Sequence, residues 1–326
     1  MSGCKPAGLF YDSIKGVCLP FAPIPPSPCD DFMKRKDLFV REDPKSRAML
    51  AEIKKMPAGQ RIECISRFYL GLPYLRDAQG EGIGIDPGPL HNDCNQGNPV
   101  ACGFDCITAV EEWLAIMDSP GEHFDTLQRI RYKNGKREFW DRNHFSELDW
   151  IPNLLSKGFI RDITRNIAGS EMKTASLKMN RRKWMLKRND LSTVQKRAVA
   201  HAFRKNSLRD KETASVDYIP LEAFFTESSS GATLNPGLVE KLPYVSLLFT
   251  IRDERTAKSV GVLGAHVALL FHPPGQEPFV RQASLLDGIV RDEPLSSYIE
   301  AQVLRAGIAL YELRDQTIRR ASLLPP

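Results

Sequence analysis

The chain has 326 residues, 42% hydrophobic and 26% charged, with 45 Lys and Arg against 40 Asp and Glu for a net charge of +5. That length buries a large core, and the even spread of apolar residues argues for one main domain with additions over two equal domains. No run approaches the roughly 18 apolar residues of a membrane-spanning helix; no internal repeat is visible, and the start at Met1 lacks the charged-then-apolar layout of a secretory signal.

In chain order, residues 1–45 read as a Pro/Cys-rich arm carrying Cys4, Cys18 and Cys29. Apolar spacing predicts one helix over residues 49–70, leading into Gly71-Leu-Pro-Tyr74. Residues 77–101 hold many glycines with His91 and Cys94, followed by Cys102, and read as a long loop over a cleft.

The next segment is the most informative. Cys106, Val110, Trp113, Leu114 and Met117 form one apolar stripe at helical spacing, with Glu111 and Glu112 off it. Asp105 is a good N-cap, and Ser119-Pro120-Gly121 is a stop. Cys106 therefore sits in the first helical turn, where free N–H groups and the helix dipole lower a thiol pKa and can hold an oxyanion. The competing reading is a buried cysteine that only packs.

After a further helix come Arg131-Tyr132, Arg142-Asn-His144 and Asp149-Trp150. These residues can grip carboxylates or a sugar, or can equally stack and pack. Between Lys173 and Lys211, 13 Lys and Arg stand against only Asp190 and Asp210, about +11 here and about −6 elsewhere. Residues 177–203 have helical spacing interrupted near Asn189-Asp190, so two basic helices are expected in an insertion spanning 170–212.

The later half reads as strands over 244–251, 260–271 and 279–285, with a closing helix over 295–320. Together with the Cys106 helix this predicts an α+β fold, the helix packed on an antiparallel sheet. His266 lies inside an apolar run where an imidazole needs a partner. A hairpin folded symmetrically about Pro274 sets His266 opposite Gln282, whose amide can fix the tautomer and free the other ring nitrogen for a thiol. A Cys106, His266, Gln282 triad results; the alternative is a satisfied core histidine beside a solvated glutamine, and a one-residue slip would turn Gln282 away.

Gly71-Leu-Pro-Tyr74, Gly103-Phe-Asp-Cys106, Arg131-Tyr132, Arg142-Asn-His144, Asp149-Trp150 and His266 together resemble the NlpC-type cell-wall hydrolases, in the N-acetylmuramoyl-L-alanine amidase-like branch, from about Leu70 to Tyr298. The resemblance implies a papain-like core, a catalytic domain over 46–326, Cys106 as nucleophile, His266 as base, Gln282 as orienter and Tyr74 near the thiol. It implies hydrolysis of the amide joining the lactyl group of N-acetylmuramic acid to L-alanine, or, alternatively, endopeptidase cleavage within the stem peptide. Peptidoglycan or muropeptide fragments become the expected partner, with no cofactor. Where that branch commonly reads His-Ala-Ser, this chain has Gln282-Ala283-Ser284, an amide that orients without carrying charge.

Two other classes stay open. His91, Cys94, Cys102 and Cys106 offer four soft ligands for zinc, at spacings that match no standard knuckle. The basic helices could bind nucleic acid, although no recognised module interleaves them with aromatics. Seven cysteines suit an oxidising envelope if Cys4, Cys18, Cys29, Cys64, Cys94 and Cys102 pair and leave Cys106 free. The cell envelope or periplasm is the expected location, with the cytoplasm or a dedicated export machine as alternatives.

Overall fold

A computed structural model describes residues 9–12, 17–20, 44–75, 104–120, 123–133, 141–187, 193–205, 210–228 and 231–314. In the arm, β1 (Leu9–Asp12) pairs antiparallel with β2 (Val17–Pro20). Then α1 (Pro44–Lys55) buries Met49, Leu50 and Ile53, and α2 (Ala58–Arg67) buries Ile62, Cys64 and Ile65. One helix was expected here. Pro57, which has no N–H and cannot continue a ladder, divides it into two.

The helix α3 (Cys106–Asp118) begins and ends as expected, with a capping box in which Asp105 accepts from the Thr108 N–H at 2.7 Å while the Asp105 N–H donates to Thr108 Oγ1 at 3.0 Å. It is not amphipathic in the way its stripe suggests. Everything from Thr108 to Asp118 is buried, Glu111 and Glu112 included, because α2, α4 (His123–Arg131) and the main sheet pack around it. Arg61 at the start of α2 closes its far end, donating to the Met117 carbonyl at 2.7 Å.

A single π turn over Ser146–Trp150 leads into α5 (Ile151–Ser156), β3 (Ile160–Asp162) and α6 (Thr164–Ala168). The basic insertion is not wholly helical: its stem is a long hairpin of β4 (Lys173–Asn180) and β5 (Lys211–Pro220), carrying α7 (Arg181–Lys187) and α8 (Thr193–Lys205) between the strands. Leu177 thus lies on a strand, while the two expected helices form beyond it. A small hairpin of β6 (Phe225–Ser228) and β7 (Gly231–Leu234) and the short α9 (Pro236–Val239) follow.

The strand-rich half supplies β8 (Val245–Arg252), α10 (Glu254–Val260), β9 (Gly264–Phe271), β10 (Phe279–Ser284), β11 (Ile289–Pro294), α11 (Leu295–Glu300) and β12 (Arg305–Leu313). Two expectations fail here. Val260 ends a helix closed by Gly261 at φ 91°, a left-handed position that glycine adopts without strain, so the strand starts later. The expected closing helix stops at Glu300, and β12 takes the middle of the sheet, where Ile308 and Leu310 face one side and Ala309 and Tyr311 the other.

The main sheet has strand order β11-β10-β9-β8-β12-β5-β4, with β3 also pairing β12. Leu247, Phe249, Val267, Leu269 and Ala283 join the core around α3; Leu248, Ala268, Leu270 and Val280 pack with α6, α9 and α11 on the opposite face. Both faces are covered, which explains why β8 is buried at successive positions and shows no alternation of polarity. The architecture is a mixed α/β fold built on an antiparallel sheet. Among the described residues no helix is long and apolar enough to cross a membrane.

Candidate active site

Gly71-Leu-Pro-Tyr74 crosses between two elements. The Gly71 N–H donates to Val290 O at 2.8 Å and Val290 N–H to Leu72 O at 2.8 Å, while Tyr74 bridges in parallel to Phe104. The motif therefore ties β11 to the residues entering α3. Tyr74 and Cys106 both pack on the same core, half-buried.

The β9–β10 ladder stops at Leu269↔Arg281. Beyond it, the backbone N–H of Val267 acts on the Cys106 sulfur, and those of Ile107 and Cys106 itself add to it in favouring the thiolate. The start of α3 thus sits where β9 is no longer paired to β10. This places the thiol beside the backbone of Val267, on the strand that bears His266. Cys106 is a free cysteine and partly exposed; Cys64 is disulfide-bonded.

The observed hairpin pairs Phe279 with Phe271 and Val280 with Leu270, two residues away from the symmetric register expected about Pro274. A shift of two keeps every side chain on its face. Gln282 therefore still reaches His266, diagonally, and the two side chains hydrogen-bond. Nε2 of His266 is buried with no hydrogen-bond partner among the described residues. Gln282 in turn donates from Nε2 to Glu293 Oε2 at 2.8 Å, leaving its amide oxygen for the imidazole.

Glu293 was not foreseen from the sequence. It becomes visible only through the register of β10 with β11, which pairs Gln282 with Arg291 and Val280 with Glu293. Its half-buried carboxyl is held above its ordinary pKa by burial, with Arg291 opposing. The Tyr298 ring lies 6.5 Å from the His266 ring, its hydroxyl 2.7 Å from Thr250 Oγ1. Glu147 Oε1 accepts from the Leu263 N–H at 2.5 Å and holds the chain as it enters β9.

The electrostatics differ from expectation. Burial first, and the Asp105 carboxylate second, push the Cys106 thiol up to about 12, outweighing the three N–H groups that favour the thiolate. Burial likewise depresses His266 to about 4, against the favourable contact with Gln282, with Arg305 adding to the depression. At neutral pH both groups are therefore uncharged. The arrangement suits proton transfer during attack, not a standing thiolate–imidazolium pair.

The remaining predicted residues are placed deeper in the scaffold. Arg131 donates to Glu111 at 2.7 Å, both almost fully buried. Tyr132 bridges to Arg142, whose guanidinium lies 5.9 Å from the Tyr132 ring centre and electrostatically near Asp105. Asp149 takes both Nη atoms of Arg181 at 2.7 and 2.8 Å, with Lys133 at 2.9 Å, which lowers its pKa against the opposing effect of burial. Trp150 is fully buried and His144 half-buried. His91, Cys94 and Cys102 lie outside the described residues, and among the described residues no cluster of metal-ligating side chains occurs.

The sequence profile of the N-acetylmuramoyl-L-alanine amidase-like family matches residues 64–308. Among solved structures, a Legionella pneumophila protein superposes with a TM-score of 0.66 at 24% identity, over 82% of this chain and 92% of that one. An N-acetylmuramoyl-L-alanine amidase from Bacteroides uniformis does so with a TM-score of 0.53 at 21% identity, over 79% and 99%. A putative xylanase from Bacteroides fragilis gives 0.53 at 21%, over 76% and 98%. Comparison with curated proteins finds no match. At these identities the structural likenesses show the fold; the profile, spanning most of the chain, carries the assignment, and the protein belongs to the N-acetylmuramoyl-L-alanine amidase-like family.

Proposed function

We propose that this protein is a cysteine-dependent peptidoglycan amidase that cleaves the bond between the lactyl group of N-acetylmuramic acid and L-alanine, acting at the cell envelope. The observation that carries the reading is the meeting of Cys106, at the capped start of α3, with the strand bearing His266, whose imidazole is contacted by the Gln282 side chain. A thiol at a helix start against an antiparallel sheet also suits the papain-like, NlpC-type lineage.

In this mechanism His266 takes the thiol proton as Sγ attacks the amide carbonyl carbon. N–H groups of the first turn of α3 face the oxygen that gains charge. The C–N bond breaks as His266 returns the proton to the departing amine, leaving a thioester. Water then adds to the thioester with His266 again accepting a proton, and the C–S bond breaks to restore the thiol. Gln282, backed by Glu293, holds the imidazole in place throughout.

Mass spectrometry of defined muropeptides tests the reading. Disaccharide free of peptide, with an intact stem peptide, is the expected product pair. A shortened stem left on the sugar would make the protein an endopeptidase, and unchanged cleavage by Cys106→Ala would remove the cysteine mechanism.

A further inference from the structure

Arg252 at the end of β8 and Arg305 at the start of β12 are direct cross-strand partners. Like charges placed opposite one another repel, so such a pair costs stability unless something anionic lies between or over them. Among the described residues the chain provides it only at a distance, Glu147 acting on Arg252 and Asp253 on Arg305 without an ion pair. Arg252 Nη1 and Arg305 Nε are buried without a hydrogen-bond partner; Arg305 Nη1 donates to the Leu304 carbonyl at 3.2 Å, and among the described residues neither arginine forms an ion pair. The carboxylates nearest in charge are committed elsewhere: Glu147 to the Leu263 N–H, and Asp253 to Thr256, as the cap of α10.

The pair also lies near the site: Arg252 stands two residues along β8 from Thr250, on the same face, and Thr250 is the cross-strand partner of His266 and hydrogen-bonds the Tyr298 hydroxyl at 2.7 Å. Arg252 also acts electrostatically on Cys106, and Arg305 on His266. Three other arginines differ: Arg131 on Glu111, Arg181 on Asp149 and Arg281 on Asp292 each have a carboxylate at 2.7 Å.

We propose that Arg252 and Arg305 form an anion-binding subsite beside the thiol, which receives a carboxylate of the substrate's peptide portion and so sets the position of the scissile amide. Planar guanidinium groups with free N–H donors match a carboxylate in two-point contact. The identity of the substrate as a muramoyl peptide rests on the reading above; the anion subsite does not.

The test uses the full chain and reads Cys106 itself. Peptide-mapped alkylation rates are compared for iodoacetate, an anion, and iodoacetamide, its neutral analogue. The iodoacetate-to-iodoacetamide ratio is expected to exceed that of the denatured protein by about fivefold, through local attraction of the anion. Arg252→Gln and Arg305→Gln should each lower it, while Arg305→Lys keeps most of it. Excess acetate should slow iodoacetate selectively in the unaltered protein, a measurement that stands even if a glutamine variant fails to fold.

Two muramoyl dipeptides, one with the second residue's carboxylate free and one with it amidated, complete the experiment. The free acid is expected to be cleaved about tenfold faster in kcat/KM, the scale of one charge-assisted hydrogen bond, and the glutamine variants to lose that discrimination. A denatured-like alkylation ratio, insensitive to acetate, overturns the subsite. An elevated, acetate-sensitive ratio with no cleavage of any muramoyl peptide supports the subsite and overturns only the substrate reading.

Discussion

Two regions of this molecule hold buried polar groups, and they are finished differently. Behind α3, Arg131 closes on Glu111, and Asp149 on Arg181 and Lys133, each charge answered within hydrogen-bonding distance. At the start of α3, His266 Nε2, Arg252 Nη1 and Arg305 Nε are buried and unanswered. Buried polar atoms without partners cost stability, so a fold tolerates them where a ligand or reaction uses them. Buried atoms without a hydrogen-bond partner also occur behind α3, Glu112 Oε2 and Trp113 Nε1 among them; what separates the regions is that the guanidinium groups of Arg131 and Arg181 each meet a carboxylate and those of Arg252 and Arg305 do not.

The sharpest way to break this comparison is at the thiol and imidazole. Cys106→Ala should abolish cleavage of muropeptides, and His266→Ala should lower it by about 10²–10⁴-fold, the range for removal of a general base. Thermal melts of both should stay close to the parent. Parent-like turnover in either variant would mean that the unanswered groups are not the site.

The opposite outcome is expected behind α3. Glu111→Ala leaves the Arg131 guanidinium buried and without that partner, a change worth about 3–5 kcal/mol of unfolding free energy in urea titration. The fraction that remains folded should keep its specific activity. A loss of turnover with unchanged stability would move Arg131 and Glu111 into the substrate site.

Smaller effects grade the supports around His266. Gln282→Ala should reduce kcat by about tenfold, less than removal of the base itself, since an orienter is one member of a unit. Glu293→Gln removes the carboxylate behind Gln282 and should cost less again. The reverse ranking, with Glu293→Gln the more damaging, would make the carboxylate and not the amide the principal support.

The pH profile gives a further discriminating measurement. In the proposed mechanism His266 must be neutral to accept the thiol proton, and its pKa lies below the ordinary 6.5, at about 4. The acid limb of kcat/KM should therefore fall as pH drops through about 4, with activity maintained at pH values between about 5 and 6. Arg305→Gln removes a charge that lowers His266 and should move that limb upward. The stability sign follows the same depression: between about 4 and 6.5 the unfolded chain binds the proton more readily, so His266 makes the fold less stable as pH falls through that window.

Glu112 has the opposite sign. Burial, partly opposed by the Arg131 charge and by a 3.3 Å hydrogen bond from the Tyr69 hydroxyl, raises its carboxyl to about 8. Its contribution is present below the ordinary carboxyl value and is lost as pH rises through 4.5 toward 8, because the unfolded chain ionises first. Glu112→Gln should flatten that dependence, a small effect confined to the scaffold region, with the acid limb of turnover unmoved.

Much of the site is legible in the sequence. The span of α3, its Asp105 cap and the position of His266 on a strand rest on contacts within a few residues, and local hydrogen-bonding geometry leaves its mark in local spacing. The family's motifs are legible for the same reason. The break at Pro57 and the cap at Gly261 are written just as locally, but each lies against a longer apolar run whose periodicity masks it.

The tertiary structure alone decided the rest. Glu111 and Glu112 look solvent-facing beside the apolar stripe until α2, α4 and the sheet enclose α3. That 305–313 is a central strand, that Gln282 meets His266 diagonally with Glu293 behind it, and that Arg252 stands opposite Arg305 all depend on pairing between segments far apart in the chain. Register and partner choice arise from which distant surfaces pack together, and a sequence records those only weakly. Cys106 could be singled out from its own helix; what surrounds its sulfur could not.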